Sequence, residues 1–134
     1  HVRLGEGFFW LDAVSDECLD DLYRCATCLI AASKGEGFGL PLIEAARHGV
    51  PMIVREIPVF REVAGESAYY FGGPESAGLA ESVLDWLTLY ERGHAPSPSD
   101  MEWNTWAESA AQLLESLNLE GAPHTPDHQV AQAC

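Results

Sequence analysis

The chain has 134 residues, 47% of them hydrophobic, which is enough for about one domain with a packed core and too apolar for wholesale disorder. With 7 Lys and Arg against 21 Asp and Glu, its net charge of −14 argues against a nucleic-acid or anionic-membrane surface, which needs a basic face. No apolar run is long enough to span a bilayer, and the start, His1-Val2-Arg3-Leu4-Gly5-Glu6, lacks the charged-then-apolar pattern of a signal peptide.

Residues 8–14, Phe-Phe-Trp-Leu-Asp-Ala-Val, are rich in aromatic and β-favouring types and predict a first strand. Ser15 then caps a helix, with Asp16 and Glu17 in the first turn, where the dipole favours acids. Leu19, Leu22, Tyr23 and Ala26 recur at helical spacing. The apolar run 28–32 predicts the next strand. A glycine loop follows, and then a helix with Pro41 at its first position and Gly49 at its end. Residues 50–54 are unbroken and apolar, as in a parallel strand buried on both faces, with Pro51 tolerable only at the entrance.

Residues 55–66 predict a loop with a short helix, and residues 68–71 a further strand. An amphipathic helix follows over 76–92, with Leu79, Val83, Trp86, Leu87 and Tyr90 on one stripe. Gly93 and the prolines Pro96 and Pro98 break it. A second helix over 100–117 places Trp103, Trp106, Ala110, Leu113, Leu114 and Leu117 on one side. The aromatic residues of these two helices are read as packing residues. The tail 118–134 has no periodicity and is expected to lack structure. The order β-α-β-loop-α-β-α-β-α-α argues for a parallel α/β sheet over residues 1–117, ending in two helices. In such sheets a ligand sits beyond the carboxyl ends of the strands, where the glycine loop lies.

Cys25 and Cys28 form a C-x-x-C. No second pair or spaced histidines complete a zinc site, and the helix-then-strand order is the reverse of a redox motif, so these are read as thiols without function. Reduced, cytosolic residence fits the cysteine usage.

The chemistry lies in residues 33–44, Ser-Lys-Gly-Glu-Gly-Phe-Gly-Leu-Pro-Leu-Ile-Glu. Glycines alternate at Gly35, Gly37 and Gly39 before Pro41. A glycine loop that opens a helix binds phosphate, because the first N–H groups have no partner and the dipole is positive there. A dinucleotide G-x-G-x-x-G fails at Leu42, and a Walker G-K-[ST] fails at Gly39-Leu40-Pro41. Glu36 and Glu44 would repel bare phosphate but accept hydrogen bonds from ribose or sugar hydroxyls. Backbone N–H groups beside carboxylates describe a nucleotide-sugar. Taken alone, Glu44 is equally well a solvated helix residue and Glu36 a loop charge.

Glu36-Gly37-Phe38-Gly39-Leu40-Pro41, then Glu44-Ala45, then Gly49-Val50-Pro51, resembles the donor-site signature of the group 1 (family 4) retaining glycosyltransferases of GT-B fold. The resemblance covers roughly residues 8–92. Within that family, residues 55–66 look like those of bacterial mannosyltransferases of O-antigen and polysaccharide assembly. The resemblance implies a Rossmann-like domain, part of the C-terminal half of a GT-B fold. It implies transfer of a sugar, mannose from GDP-mannose foremost, to a growing polysaccharide or lipopolysaccharide, with the anomeric configuration retained.

By the same resemblance, Glu36 stands near the donor sugar and the reacting centre as the catalytic residue. Gly35 and Gly37 belong to the donor loop. Phe38, Gly39 and Leu40 offer backbone N–H groups to the sugar hydroxyls and diphosphate, and Glu44 holds the ribose hydroxyls. Ala13 and Val14 match the loop that flanks the base. No cofactor or metal is implied beyond the nucleotide-sugar substrate, and no Asp-x-Asp motif is present.

One departure matters. The family's Arg and Lys that meet the diphosphate lie upstream, and the residues before Phe8 do not supply that pair. Lys34 and Arg55 are the nearest cations, and Lys34 reads more simply as a solvated loop residue. The chain is therefore expected to be a C-terminal fragment, inactive alone and partnered by a missing N-terminal domain. It is expected in the cytoplasm, peripheral to the inner membrane face only through missing parts. The competing readings are a non-enzymatic Rossmann-like binding or scaffold domain, and a GT-B nucleotide-sugar epimerase or a phosphorylase.

Overall fold

A computed structural model describes residues 2–3, 7–73 and 76–117. Contacts divide the chain into two units, His1–Met101 and Glu102–Cys134. In the first unit, β1 (Val2–Arg3) pairs antiparallel with β2 (Phe9–Trp10). Then come α1 (Asp16–Cys25), β3 (Leu29–Ala31), α2 (Leu40–Arg47), β4 (Met52–Arg55), α3 (Pro58–Ala64), β5 (Tyr69–Phe71) and α4 (Ser76–Glu91), with a short 3₁₀ turn at Pro98–Asp100. The second unit holds α5 (Trp106–Ser116).

The sheet β3-β4-β5 is parallel throughout, with Ile53 opposite both Ile30 and Tyr69. The fold is thus an α/β, Rossmann-like arrangement with helical crossovers. Its central strand explains its own sequence. Met52, Ile53 and Val54 are all fully buried because β4 has covered faces on both sides. Met52 and Val54 join Leu42, Ala45, Phe60 and Ala64 on the α2–α3 side. Ile53 points the other way, to Phe71 and Trp86 of the α4 side. Burying each such side chain stabilises the fold by about 1.5–3 kcal/mol.

Two sequence expectations need correction. The strand over 8–14 shrinks to Phe9–Trp10 and belongs to the antiparallel pair rather than the parallel sheet. Its aromatic residues Phe8, Phe9 and Trp10 are about half exposed, so composition favoured a strand where no buried face exists to hold one. The helix over 100–117 begins only at Trp106, because Thr105 and Glu108 form a capping box that fixes the start there. Trp103 therefore lies outside the helix. Of the expected packing aromatics, Trp86 is buried and stacks on Tyr90 at 4.9 Å, while Trp106 is 84% exposed. The tail 118–134 lies outside the described residues.

Candidate functional site

The loop between β3 and α2 leaves the carboxyl edge of the sheet. No described group accepts a hydrogen bond from the backbone N–H of any residue from 35 to 40. Residues 34–38 are exposed, Phe38 among them at 61%. Gly39 is the N-cap of α2 with φ +77°, the left-handed region in which a side chain is strained, and Pro41 follows in the first turn. A Cβ at Gly39 would stand 3.4 Å from the ring of Phe60, itself fully buried on α3. The backbone thus turns sharply over Phe60, and the N-terminus of an eight-residue helix opens beside the loop.

The carboxyl edge is tied together by Arg55. Its Nε donates to the Ala32 carbonyl at 3.0 Å and its Nη1 to the Gly73 carbonyl, so one side chain at the end of β4 links the exits of β3 and β5. Its guanidinium also lies 4.9 Å from the Phe71 ring centre. Of the two cations near the loop, Arg55 is therefore engaged with carbonyls, and Lys34 is exposed.

Glu44, one turn into α2, is half-buried and turned toward α1. Its Oε2 accepts a hydrogen bond from the Tyr23 hydroxyl at 3.0 Å, and Oε1 takes none among the described residues. The Tyr23 ring stacks on His48, with centroids 5.6 Å apart and planes 7° from parallel. His48 in turn reaches Asp20 with Nε2 at 2.9 Å, and Asp20 pairs with Arg24. Burial first, then the hydrogen bond and charge of Glu44, pushes the Tyr23 phenol far above its ordinary range, so the hydroxyl remains a donor. A cavity of about 320 Å³ opens here, bordered by Asp16, Asp20, Tyr23, Glu44, Arg47 and His48 among others. Sequence reasoning passed over Tyr23, reading it as one apolar position of α1. The amphipathic period shows which face a residue occupies but carries no sign of a partner 21 positions away.

Glu36 is exposed in the loop, and Ala13 and Val14 are exposed in the turn before Ser15. Ser15 caps α1, its Oγ accepting from the Cys18 N–H at 3.3 Å. Cys18, Cys25 and Cys28 are free thiols, and burial raises the pKa of Cys28. Among the described residues no cluster of His, Cys, Asp and Glu could hold a metal ion, and no helix is long and apolar enough to cross a membrane.

In parallel α/β sheets ligands sit at the carboxyl edge, where this chain places a glycine turn into a helix. Residues 1–103 match the family described as glycosyl transferases group 1, and the chain belongs to that family. Serotype-specific mannosyltransferase WbdA of Escherichia coli is 50% identical over 119 residues, which take in 89% of this chain and 15% of that protein. O-antigen chain mannosyltransferase B of Escherichia coli is 40% identical over 113 residues, 82% of this chain and 30% of that protein. O-antigen chain mannosyltransferase RfbU of Salmonella typhimurium is 46% identical over 69 residues, 52% of this chain and 20% of that protein. The chain therefore spans only a small part of the length of the relatives it matches.

Proposed function

We propose that this chain is the nucleotide-sugar-binding part of a retaining glycosyltransferase, with GDP-mannose as donor and a growing polysaccharide or lipopolysaccharide as acceptor. The observation that carries this reading is the run of unengaged backbone N–H groups from Gly35 to Leu40 at the start of α2, whose next turn carries Glu44 with Oε1 free among the described residues. Peptide N–H groups at a helix N-terminus suit a diphosphate, and a carboxylate suits ribose hydroxyls. Phe38, Gly39 and Leu40 then meet the diphosphate and sugar hydroxyls, and Gly35 and Gly37 keep the loop backbone accessible. Glu36 stands by the reacting centre, and Ala13 and Val14 flank the base. As the sugar departs, charge grows on the diphosphate, and the N-terminus of α2 stabilises it. Mannose is favoured by the relatives named as mannosyltransferases.

The cations that complete the phosphate site belong to upstream parts of the protein in this reading, so the isolated chain binds donor weakly and transfers nothing. The whole protein acts in the cytoplasm, peripheral to the membrane where its acceptor is lipid-linked. Thermal unfolding with millimolar GDP, UDP or ADP tests the half-site. Ligand at 100 times its Kd stabilises by about 2.7 kcal/mol. One of the three is expected to raise Tm, and Glu44→Ala to remove most of that rise while the protein stays folded. If none raises it, the loop is a structural element of a scaffold domain. Sugar transfer by the isolated chain at enzymatic rates would show the missing domain to be dispensable.

A further inference from the structure

Tyr23 belongs neither to the glycine loop nor to α2, yet it holds the carboxylate that the donor-site reading gives to ribose. We infer that Tyr23 is the positioning residue of this site: its hydroxyl engages Oε2 of Glu44 and leaves Oε1 to meet the ribose diol. This rests on the donor-site reading of Glu44.

The geometry carries the argument in three parts. First, the contact is direct: the part-buried Tyr23 hydroxyl donates to the Glu44 carboxylate at 3.0 Å, within the range of an O–H···O hydrogen bond. The same hydroxyl stands 3.5 Å from the Pro41 carbonyl, so it faces the first turn of α2 as well as Glu44. Second, Tyr23 is itself held. Its ring lies flat on His48, and His48 is bonded to Asp20. Asp20 and Tyr23 are three apart on α1, while Glu44 of α2 and His48, its C-cap, are four apart, so each pair sits on one side of its helix. The two helices are therefore joined by two rungs, Asp20 to His48 and Tyr23 to Glu44, with the Tyr23–His48 stack between them. Third, the cavity bordered by these residues gives a ligand room beside the carboxylate.

A glutamate free on a helix surface must lose rotamer freedom when it binds a hydroxyl. One already fixed by Tyr23 has lost it during folding, which is the gain of preorganisation. The Tyr23 contribution should therefore appear only in ligands that carry ribose hydroxyls.

The test compares GDP, UDP and ADP with their 2′,3′-dideoxy counterparts, titrated against the wild-type chain, Tyr23→Phe and Glu44→Ala. Phenylalanine keeps the ring and its stack on His48. The expected result is a wild-type preference for the ribonucleotide that Tyr23→Phe reduces about three- to tenfold. Binding of the dideoxy form is expected to stay unchanged, and Glu44→Ala to abolish the preference. A preference lost in Glu44→Ala but kept in Tyr23→Phe overturns the role of Tyr23 and leaves the donor site standing. An equal loss for both ligands in Tyr23→Phe also overturns it, as the mark of a structural residue. No binding to the wild type, or a preference indifferent to Glu44, sinks the donor-site reading and this role with it.

Discussion

The segments that follow β3 and β4 leave the same edge of one sheet and are built in opposite ways. After β3, residues 34–38 are exposed, and their backbone donors from Gly35 onward are unengaged. After β4, the polar groups are engaged with one another. Arg61 forks onto both carboxylate oxygens of Glu56 at 2.7 Å and lies 3.5 Å above the Tyr70 ring. The Tyr70 hydroxyl lies within hydrogen-bonding reach of the carbonyls of Phe60 and Gly65, at 3.1 and 2.8 Å. The closed segment supplies Phe60, the platform on which Gly39 turns. The open one keeps hydrogen-bonding capacity for something outside the chain. Rigid support under an unsatisfied loop is how a scaffold presents a site.

Removing the platform is the harshest way to break this contrast. Phe60→Ala empties a fully buried ring and is expected to cost about 3–5 kcal/mol in urea unfolding. A loss below 1 kcal/mol would mean that Phe60 packs less tightly than its burial implies.

A smaller effect sharpens the comparison at the edge. Arg55→Leu deletes the tie from β4 to the Ala32 and Gly73 carbonyls, and about 1–2 kcal/mol is expected from partly exposed charge-assisted bonds. Amide exchange should quicken in residues 33–39 more than in α3. Equal quickening in both would make Arg55 a general staple rather than a support of the loop.

The smallest effect concerns pH. The Arg61 hydrogen bond holds the Glu56 carboxyl below its ordinary 4.5, with desolvation opposing it and the Arg61 charge adding to it. A lowered folded value stabilises the fold above the unfolded pKa, and that stability is lost as pH falls through the folded value. Glu56→Gln should therefore lower the urea midpoint slightly at pH 7, and the difference should vanish well below pH 4.5. A difference that persists in acid would assign the effect to packing instead.

Much of this organisation was legible in the residues. The unbroken run 50–54 foretold a strand buried on both faces, since only a central parallel strand needs no polar side. Ser15, Pro41 and Gly49 marked helix ends through local chemistry, which acts over a few residues and leaves a local trace. The misreadings at 8–14 and 100–105 arose where local preference had no buried face to confirm it. For the candidate site, the loop and its glycines stood out in sequence. The Tyr23–Glu44 bond and the Arg55 tie did not, because each joins residues about 20 positions apart through packing alone. The roles given to Glu36, Ala13 and Val14 came from family resemblance, and their exposure neither adds to nor subtracts from them.

The donors from Gly35 to Leu40 are peptide groups, and a peptide N–H neither titrates nor depends on the side chain beside it. Replacing Phe38 or Leu40 would change the rim of this loop and leave its donors in place. The positions that cannot drift are those shaping the backbone: Gly39 with its positive φ, Pro41 at the helix start and Phe60 beneath the turn. Inheritance would thus guard the curve of the chain more strictly than the chemistry displayed along it.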